Sequence, residues 1–318
     1  MFQARVTGLV MDENRRVIGV KAEERTGAIR VRARKGVILA TGGFGRNPKM
    51  LEVIDPRYST VPVIMGKGHT GDGHRMAEEM GAYLKDMDYV KPNFGLHVTG
   101  TSVVERLLIF YLGAIIVNKN GVRFVNESLP YKDIGIAALN QPDDTGFQIF
   151  DQKIYDLGVK NAKSLGETMS AVTGGMALND ERIKLLVRVD TIEELAFRIG
   201  VPSLALKDTI DRYNSYVDMG RDADFGRTAL TKQWGKIVKI DTPPFYAFQS
   251  KPAFVATYGG IAVNKDMQVL TAHDKITGLY AAGELIGGFH GASYVTGTSI
   301  GKSVIFGRIA GRNVANAV

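Results

Sequence analysis

The chain has 318 residues, of which 45% are hydrophobic and 23% charged, enough for one large domain or two with a sizeable buried core. It contains no cysteine, which excludes disulfides and thiolate chemistry and leaves no metal site to expect. The net charge of +7 is scattered rather than interleaved with aromatics, and no apolar run approaches the roughly 20 residues of a membrane span, so neither nucleic acid nor a membrane is an expected partner.

Residues 4–41 alternate in short apolar runs separated by polar turns, which predicts an antiparallel meander. The last run, Gly36 to Thr41, is continuously apolar, as in a buried parallel strand, and it ends in G-G-F-G. M-A-E-E-M-G-A predicts a helix over 72–82. From about residue 91 to 240 the texture changes, with strands near G-A-I-I-V-N and helices expected over 192–198 and 203–219. β-rich texture then returns in F-V-A-T-Y-G-G-I and G-L-Y-A-A-G-E. A helix from Thr298 closes the chain, with Ile300, Val304, Ile309 and Val314 as its apolar face and Gly301, Gly307 and Gly311 allowing tight packing on a sheet. The fold class read from this order is α/β. Residues 1–90 and 246–318 form one domain, and 91–245 form an inserted domain of mixed α+β texture. The opening residues are no signal peptide, so a cytoplasmic protein is expected.

Four stretches carry candidate chemistry. Y-V-T-G-T-S-I-G-K-S (294–303) looks like a phosphate-binding P-loop, but G-x-x-x-x-G-K-S would need glycine where Thr296 stands. A helix beginning there still offers N–H donors at Ser299 and Ile300 to a phosphate or a ring carbonyl, with Lys302 at the surface. Gly283 and Glu284 end a short buried strand, where a carboxylate can accept hydrogen bonds from sugar hydroxyls. Thr41, Gly42 and Gly43 form a strand-to-turn corner that a ligand can approach closely. Asp72, in T-G-D-G, is either a helix cap or a ligand contact.

In order, A-T-G-G-F-G, T-G-D-G-H-R-M-A-E-E-M-G-A, N-K-N-G-V-R-F-V-N-E, Y-G-G-I, G-L-Y-A-A-G-E and H-G-A-S-Y-V-T-G-T-S-I-G-K-S closely resemble the FAD-dependent fumarate reductase/succinate dehydrogenase flavoprotein superfamily. The resemblance spans essentially the whole chain. It implies FAD as cofactor, touched by Asp72, Glu284, Ser299 and Ile300, with the turns at Thr41, Gly42, Gly43 and Gly283 beside it. It also implies a Rossmann-like FAD-binding domain interrupted by a cap domain. That domain is incomplete here, because the family opens with a βαβ unit carrying G-x-G-x-x-G and residue 1 falls where the family's middle hairpins begin. A partner supplying that βαβ unit is one expectation, and a fragment without activity of its own is another.

The dicarboxylate machinery of that family is replaced. Tyr294 stands where the family's carboxylate-clamping arginine would be, and Tyr131 stands where its proton-delivering arginine would be. The histidine that precedes the family's G-G pair is missing from V-A-T-Y-G-G. The resemblance therefore points away from a fumarate or succinate enzyme and toward the 3-ketosteroid dehydrogenase-like branch. On this reading Tyr131, Tyr294 and Thr296 are catalytic, and the substrate is a small enone. Hydride would pass between flavin N5 and a carbon β to the carbonyl, while a tyrosine handles the α proton. The alternatives are that both tyrosines are packing residues, or that the enzyme reduces an unsaturated acid clamped by Lys91, Arg106 or Lys132. No electron acceptor is indicated.

Overall fold

Strands β1 (Arg5–Met11), β2 (Val17–Glu24) and β3 (Gly27–Arg32) form the expected antiparallel meander. Buried Leu9 and Val17 turn inward while the outer residues stay wet, the alternation expected of a sheet with one covered face. The computed structural model describes residues 1–99, 102–160, 185–231, 235–292, 294, 295 and 297–317. The chain is a mixed α/β protein that divides into two units, one of Met1–Thr60, Met65–Val90 and Phe254–Val318, the other of Val61–Ile64 and Lys91–Ala253.

In the first unit, β4 (Val37–Leu39) runs parallel to β14 (Lys275–Ala281), pairing Val37 with Leu279 and Leu39 with Ala281. The ladder continues one residue further, where Ala282 N–H donates to Leu39 O at 2.9 Å. β13 (Gln268–Leu270) lies antiparallel on the other side of β14. A two-stranded ribbon joins β5 (Leu84–Lys85) to β12 (Gly260–Ile261). Helix α1 (Pro48–Ile54) starts where Asn47 Oδ1 accepts the Met50 N–H at 3.2 Å and Pro48 fills the first turn. Helix α2 (Asp72–Glu78) starts at Gly71, whose φ is 77°. The core of this unit gathers Leu39, Met76, Ile261, Val269, Leu279, Leu285 and Ala310.

The closing helix, labelled α6 (Thr298–Asn316) in chain order, does not present the face expected of it. Ile309 and Val314 pack on the core, but Ile300 and Val304 are 74% and 66% exposed. A Cβ at Gly301, Gly307 or Gly311 would meet nothing within 4 Å, so these glycines do not mediate a close approach. The buried residues are instead Lys302 and Ala310.

The second unit is built on an antiparallel sheet in the order β7 (Ser102–Arg106), β6 (Asn93–Thr99), β11 (Phe245–Ala253), β9 (Gly146–Asp151), β8 (Ile115–Val117), with β10 (Val187–Val189) also on β11. β11 serves two neighbours by halves: Phe245–Ser250 pair with β9 and Lys251 and Ala253 with β6. Helices α3 (Tyr131–Ala138), α4 (Ile192–Ile199) and α5 (Ser203–Met219) belong to it. Thr191 caps α4 by accepting the Glu194 N–H at 3.2 Å, and α5 buries Leu206, Ile210 and Tyr213. Within the core Arg123 is bridged by Glu127 at 2.7 Å and Asp222 at 2.8 Å, and Arg227 adds a contact to Glu127 at 3.3 Å. Among the described residues no helix is long and apolar enough to cross a membrane, and no group of three or more His, Asp or Glu could hold a metal ion.

Candidate functional site

The carboxyl ends of the parallel strands β4 and β14 lie side by side, and each leads into glycine and a polar residue. Ligands of open α/β sheets bind at such strand ends. From β4 the chain runs through Thr41 into Gly42, whose φ of 76° suits glycine. A Cβ at Gly43 would lie 2.2 Å from both Glu284 Oε1 and Thr257 Oγ1, so only glycine fits there. From β14 the chain passes Gly283, also at positive φ (80°), to Glu284.

Glu284 is held firmly. Its Oε1 accepts the Thr257 N–H at 2.9 Å and the Thr257 hydroxyl at 3.1 Å, and Thr257 Oγ1 in turn accepts the Phe44 N–H at 3.3 Å. Its Oε2 lies 3.5 Å from His69 Nδ1, which accepts the Gly43 N–H at 3.2 Å.

Two loops, 42–47 and 65–71, are joined along their length. Gly71 N–H donates to Gly43 O at 3.2 Å and Arg46 N–H to His69 O at 2.9 Å. Arg46 Nε donates to Met65 O at 2.8 Å and Asn47 Nδ2 to Thr70 O at 3.0 Å. The second loop reads Gly66-Lys67-Gly68-His69-Thr70-Gly71, which has G-x-G-x-x-G spacing and opens α2 without a strand before it. Asp72, the first residue of α2, does not cap it. Its carboxylate instead accepts from Arg5 Nε at 3.2 Å and Nη2 at 3.1 Å.

At the start of α6 the Ile300 N–H is taken by Gly297 O at 3.2 Å, which leaves the Ser299 N–H as the open donor among the described residues. Tyr294 Oη accepts the Gly297 N–H at 3.3 Å, and the Tyr294 ring stacks on Tyr258 (5.4 Å, 18°) and meets His290 edge-on at 5.1 Å. Tyr294 thus closes the turn before the helix. Thr296 lies outside the described residues.

Lys302 is not at the surface. It is 3% exposed, donates Nζ to Ile286 O, and its pKa falls to about 8 because burial disfavours the ammonium, with Glu284 opposing that fall. His74, also buried and edge-on to Phe44, is driven down to about 4 by burial; the Gly259 backbone opposes this and the Lys302 charge reinforces it.

Tyr131 belongs to the second unit, where it opens α3 half-buried. The buried Lys132 ammonium lies 5.9 Å from the Tyr131 ring centroid, and Lys91 Nζ pairs with Asp133 at 2.7 Å. The Tyr111 phenol is pushed up by burial and by neighbouring Tyr131, with Arg106 acting the other way. Three cations and two phenols therefore gather around the first turn of α3. Thr257, His69 and the buried position of Lys302 had not been anticipated from the sequence. Only the G-x-G-x-x-G spacing at 66–71 could have drawn attention to His69.

The family model for the FAD binding domain matches residues 1–300. The chain belongs to that family. It is 33% identical to the probable fumarate reductase Ifc3 of Shewanella frigidimarina, over 99% of this chain and 50% of that protein. It is 33% identical to the urocanate reductase of Eggerthella lenta over 96% and 49%, and 31% identical to the NADH:acrylate oxidoreductase of Vibrio harveyi over 99% and 30%. The chain thus spans half or less of the length of these relatives. Among solved structures, the open conformation of a flavocytochrome c3 fumarate reductase superposes with a TM-score of 0.76 at 34% identity, covering 98% of this chain and 51% of that one. The 3-ketosteroid-Δ4-(5α)-dehydrogenase of Rhodococcus jostii gives 0.68 at 30%, covering 98% and 59%. These place the chain in the FAD-dependent fumarate reductase/succinate dehydrogenase superfamily, among oxidoreductases with FAD as cofactor.

The exclusion of a fumarate-type enzyme, and with it the preference for a ketosteroid-like enone, is overturned by these fumarate, acrylate and urocanate relatives. The physical reason is that losing two arginines removes one way of holding a carboxylate, not the capacity to hold one. Lysines near the start of α3 carry the same charge.

The residues of the first unit fit FAD. Gly43 lets the turn pass directly against Glu284 and Thr257, where any side chain would collide with them, and Thr41 Oγ1 is buried with no hydrogen-bond partner among the described residues. Glu284 offers acceptors for hydroxyls, and the Ser299 N–H offers a donor.

Proposed function

We propose that the protein is an FAD-dependent reductase of the carbon–carbon double bond of an α,β-unsaturated acid. The observation that carries this reading is the chemistry shared by the relatives' named substrates. Fumarate, acrylate and urocanate are all carboxylates conjugated to C=C. In the proposed arrangement the first unit binds the cofactor and the second the substrate. Thr41, Gly42, Gly43, Gly283, Glu284, Asp72, Ser299 and Ile300 line the cofactor site. When bound, FAD supplies the two-electron reduction at the carbon β to the carboxylate.

The remaining tasks fall to side chains. Lys132, with Lys91 or Arg106, neutralises the substrate carboxylate and polarises the conjugated bond. The Tyr131 phenol, close to those cations, donates the proton to the α carbon. Tyr294 orders the turn that brings the N-terminus of α6 to the cofactor. The outer edge of β4 has no strand partner among the described residues, and a βαβ unit from a longer form of the chain or from a partner protein completes the FAD-binding domain in this proposal.

The test is anaerobic oxidation of the photoreduced, FAD-loaded protein by fumarate, acrylate, urocanate and 4-androstene-3,17-dione. Reoxidation by at least one of the acids supports the proposal. Reoxidation by the steroid alone sinks it.

A further inference from the structure

We propose that His69 contacts the cofactor directly, its Nε2–H donating to an oxygen of the bound dinucleotide. This inference rests on reading the first unit as the FAD cradle.

The imidazole is gripped between two glycines. A Cβ at Gly42 would lie 2.9 Å from its Cε1 and Nε2, and one at Gly66 would lie 3.2 Å from its Cδ2. The backbone of His69 is fixed as well, with its N–H on Gly66 O at 3.1 Å and its carbonyl accepting the Arg46 N–H at 2.9 Å. Ring and main chain are therefore both held in place, as a pre-organised contact residue requires.

The chemistry of the ring then fixes what Nε2 must be. His69 Nδ1 accepts the Gly43 N–H at 3.2 Å, and a nitrogen that accepts carries no proton, so the neutral ring is protonated at Nε2. Turning a protonated Nδ1 to Glu284 Oε2, 3.5 Å away, would mean giving up the bond from the Gly43 N–H. With the Gly43 N–H on Nδ1, Nε2 is a donor. It has no hydrogen-bond partner among the described residues, and the side chain keeps 26% exposure, so the donor is open to a ligand. It stands beside Glu284, an acceptor, and this donor–acceptor pairing suits a ligand rich in hydroxyl and phosphate oxygens.

The two ring nitrogens can be separated by substitution. The side-chain amide of His69→Gln reaches the position of Nε2, while that of His69→Asn reaches only Nδ1. The full chain and the Ala, Gln and Asn variants are titrated with FAD by flavin fluorescence, and the thermal midpoint of each FAD-free protein is recorded. Loss of a ligand hydrogen bond should weaken FAD binding about tenfold in His69→Ala, with Gln restoring most of it. His69→Asn should restore the FAD-free midpoint but not the affinity. Affinity restored by Asn and not by Gln, or unchanged in Ala, overturns the inference and leaves the cofactor reading intact. A wild-type chain that takes up no FAD overturns both.

Discussion

Glu284 takes two hydrogen bonds from a single residue, Thr257, through its N–H at 2.9 Å and its hydroxyl at 3.1 Å. The same hydroxyl oxygen receives the Phe44 N–H, so one threonine ties the turn after β4 to the carboxylate after β14. Replacing Thr257 with Val keeps the shape but strands a buried N–H, at a cost of about 1–3 kcal/mol. Urea denaturation should show that loss in Thr257→Val and most of it recovered in Thr257→Ser. Equal midpoints for the two variants would remove the hydroxyl from the account.

Gly43→Ala should be worse than its single methyl suggests. The new Cβ would sit 2.2 Å from Glu284 Oε1 and Thr257 Oγ1, and relieving that overlap costs about 1–3 kcal/mol. Because the displaced carboxylate is a proposed cofactor ligand, FAD affinity should fall together with stability. A fluorescence titration in which Gly43→Ala binds FAD as tightly as wild type would contradict this placement of Glu284.

Two buried bases give opposite ends of the pH profile. Each has a folded-state pKa below its ordinary value, so in each case the unfolded chain binds the proton more readily. Stability therefore rises with pH between the two values. For His74 the window runs from about 4 to 6.5, so stability contributed by the neutral ring is lost on acidification below 6.5. For Lys302 it runs from about 8 to 10.5, so the protein should gain stability as alkali neutralises the buried ammonium. Each contribution is at most about 3 kcal/mol. Denaturation midpoints of His74→Leu and Lys302→Met across pH 4–10.5 should flatten the acid and alkaline limbs respectively.

Arg123 in the second unit bridges two fully buried carboxylates, Glu127 and Asp222, and together with Arg227 balances their charge. Arg123→Met should cost about 3–5 kcal/mol, because it leaves buried charge uncompensated. If calorimetry finds less than about 1 kcal/mol, the network is not the anchor its burial implies.

Tyr131→Phe removes a phenol and little volume. If Tyr131 delivers the proton, turnover of the best unsaturated acid should fall about a hundredfold, while FAD affinity stays unchanged. A variant turning over at the wild-type rate would return Tyr131 to a packing role.

Much of the cofactor side was legible in the sequence because its signals are local. A buried strand ending in glycine and a carboxylate at 278–284, and another ending in Thr41-Gly42-Gly43, are short strings whose geometry follows from backbone rules. Thr257 and His69 were not legible, since their partners lie 26 to 213 residues away in the chain, nothing in V-A-T-Y announces the first, and only the glycine spacing at 66–71 hints at the second. Lys302 was misplaced because a lysine in a helix usually extends its ammonium to water. This one sits on the face that packs, where it meets the Ile286 carbonyl. The substrate class was misread for a different reason. The missing arginines are visible in the sequence and outweighed Lys91, Arg106 and Lys132, which the sequence offers only as candidates; the structure is what brings Lys91 to Asp133, 42 residues away, at the first turn of α3.

The pairing of β4 with β14 joins residues 37–39 to residues 279–281, with the second unit encoded between them. During synthesis, then, the first turn of the cradle leaves the ribosome long before its carboxylate does. At about 5–20 residues per second the wait is on the order of tens of seconds, time enough for the inserted unit to fold first. The cradle is completed last, by closure of a very long loop, and the edge of nascent β4 that takes β14 must remain unpaired until then. Its brevity, three residues, limits how much sticky edge is on display during that interval.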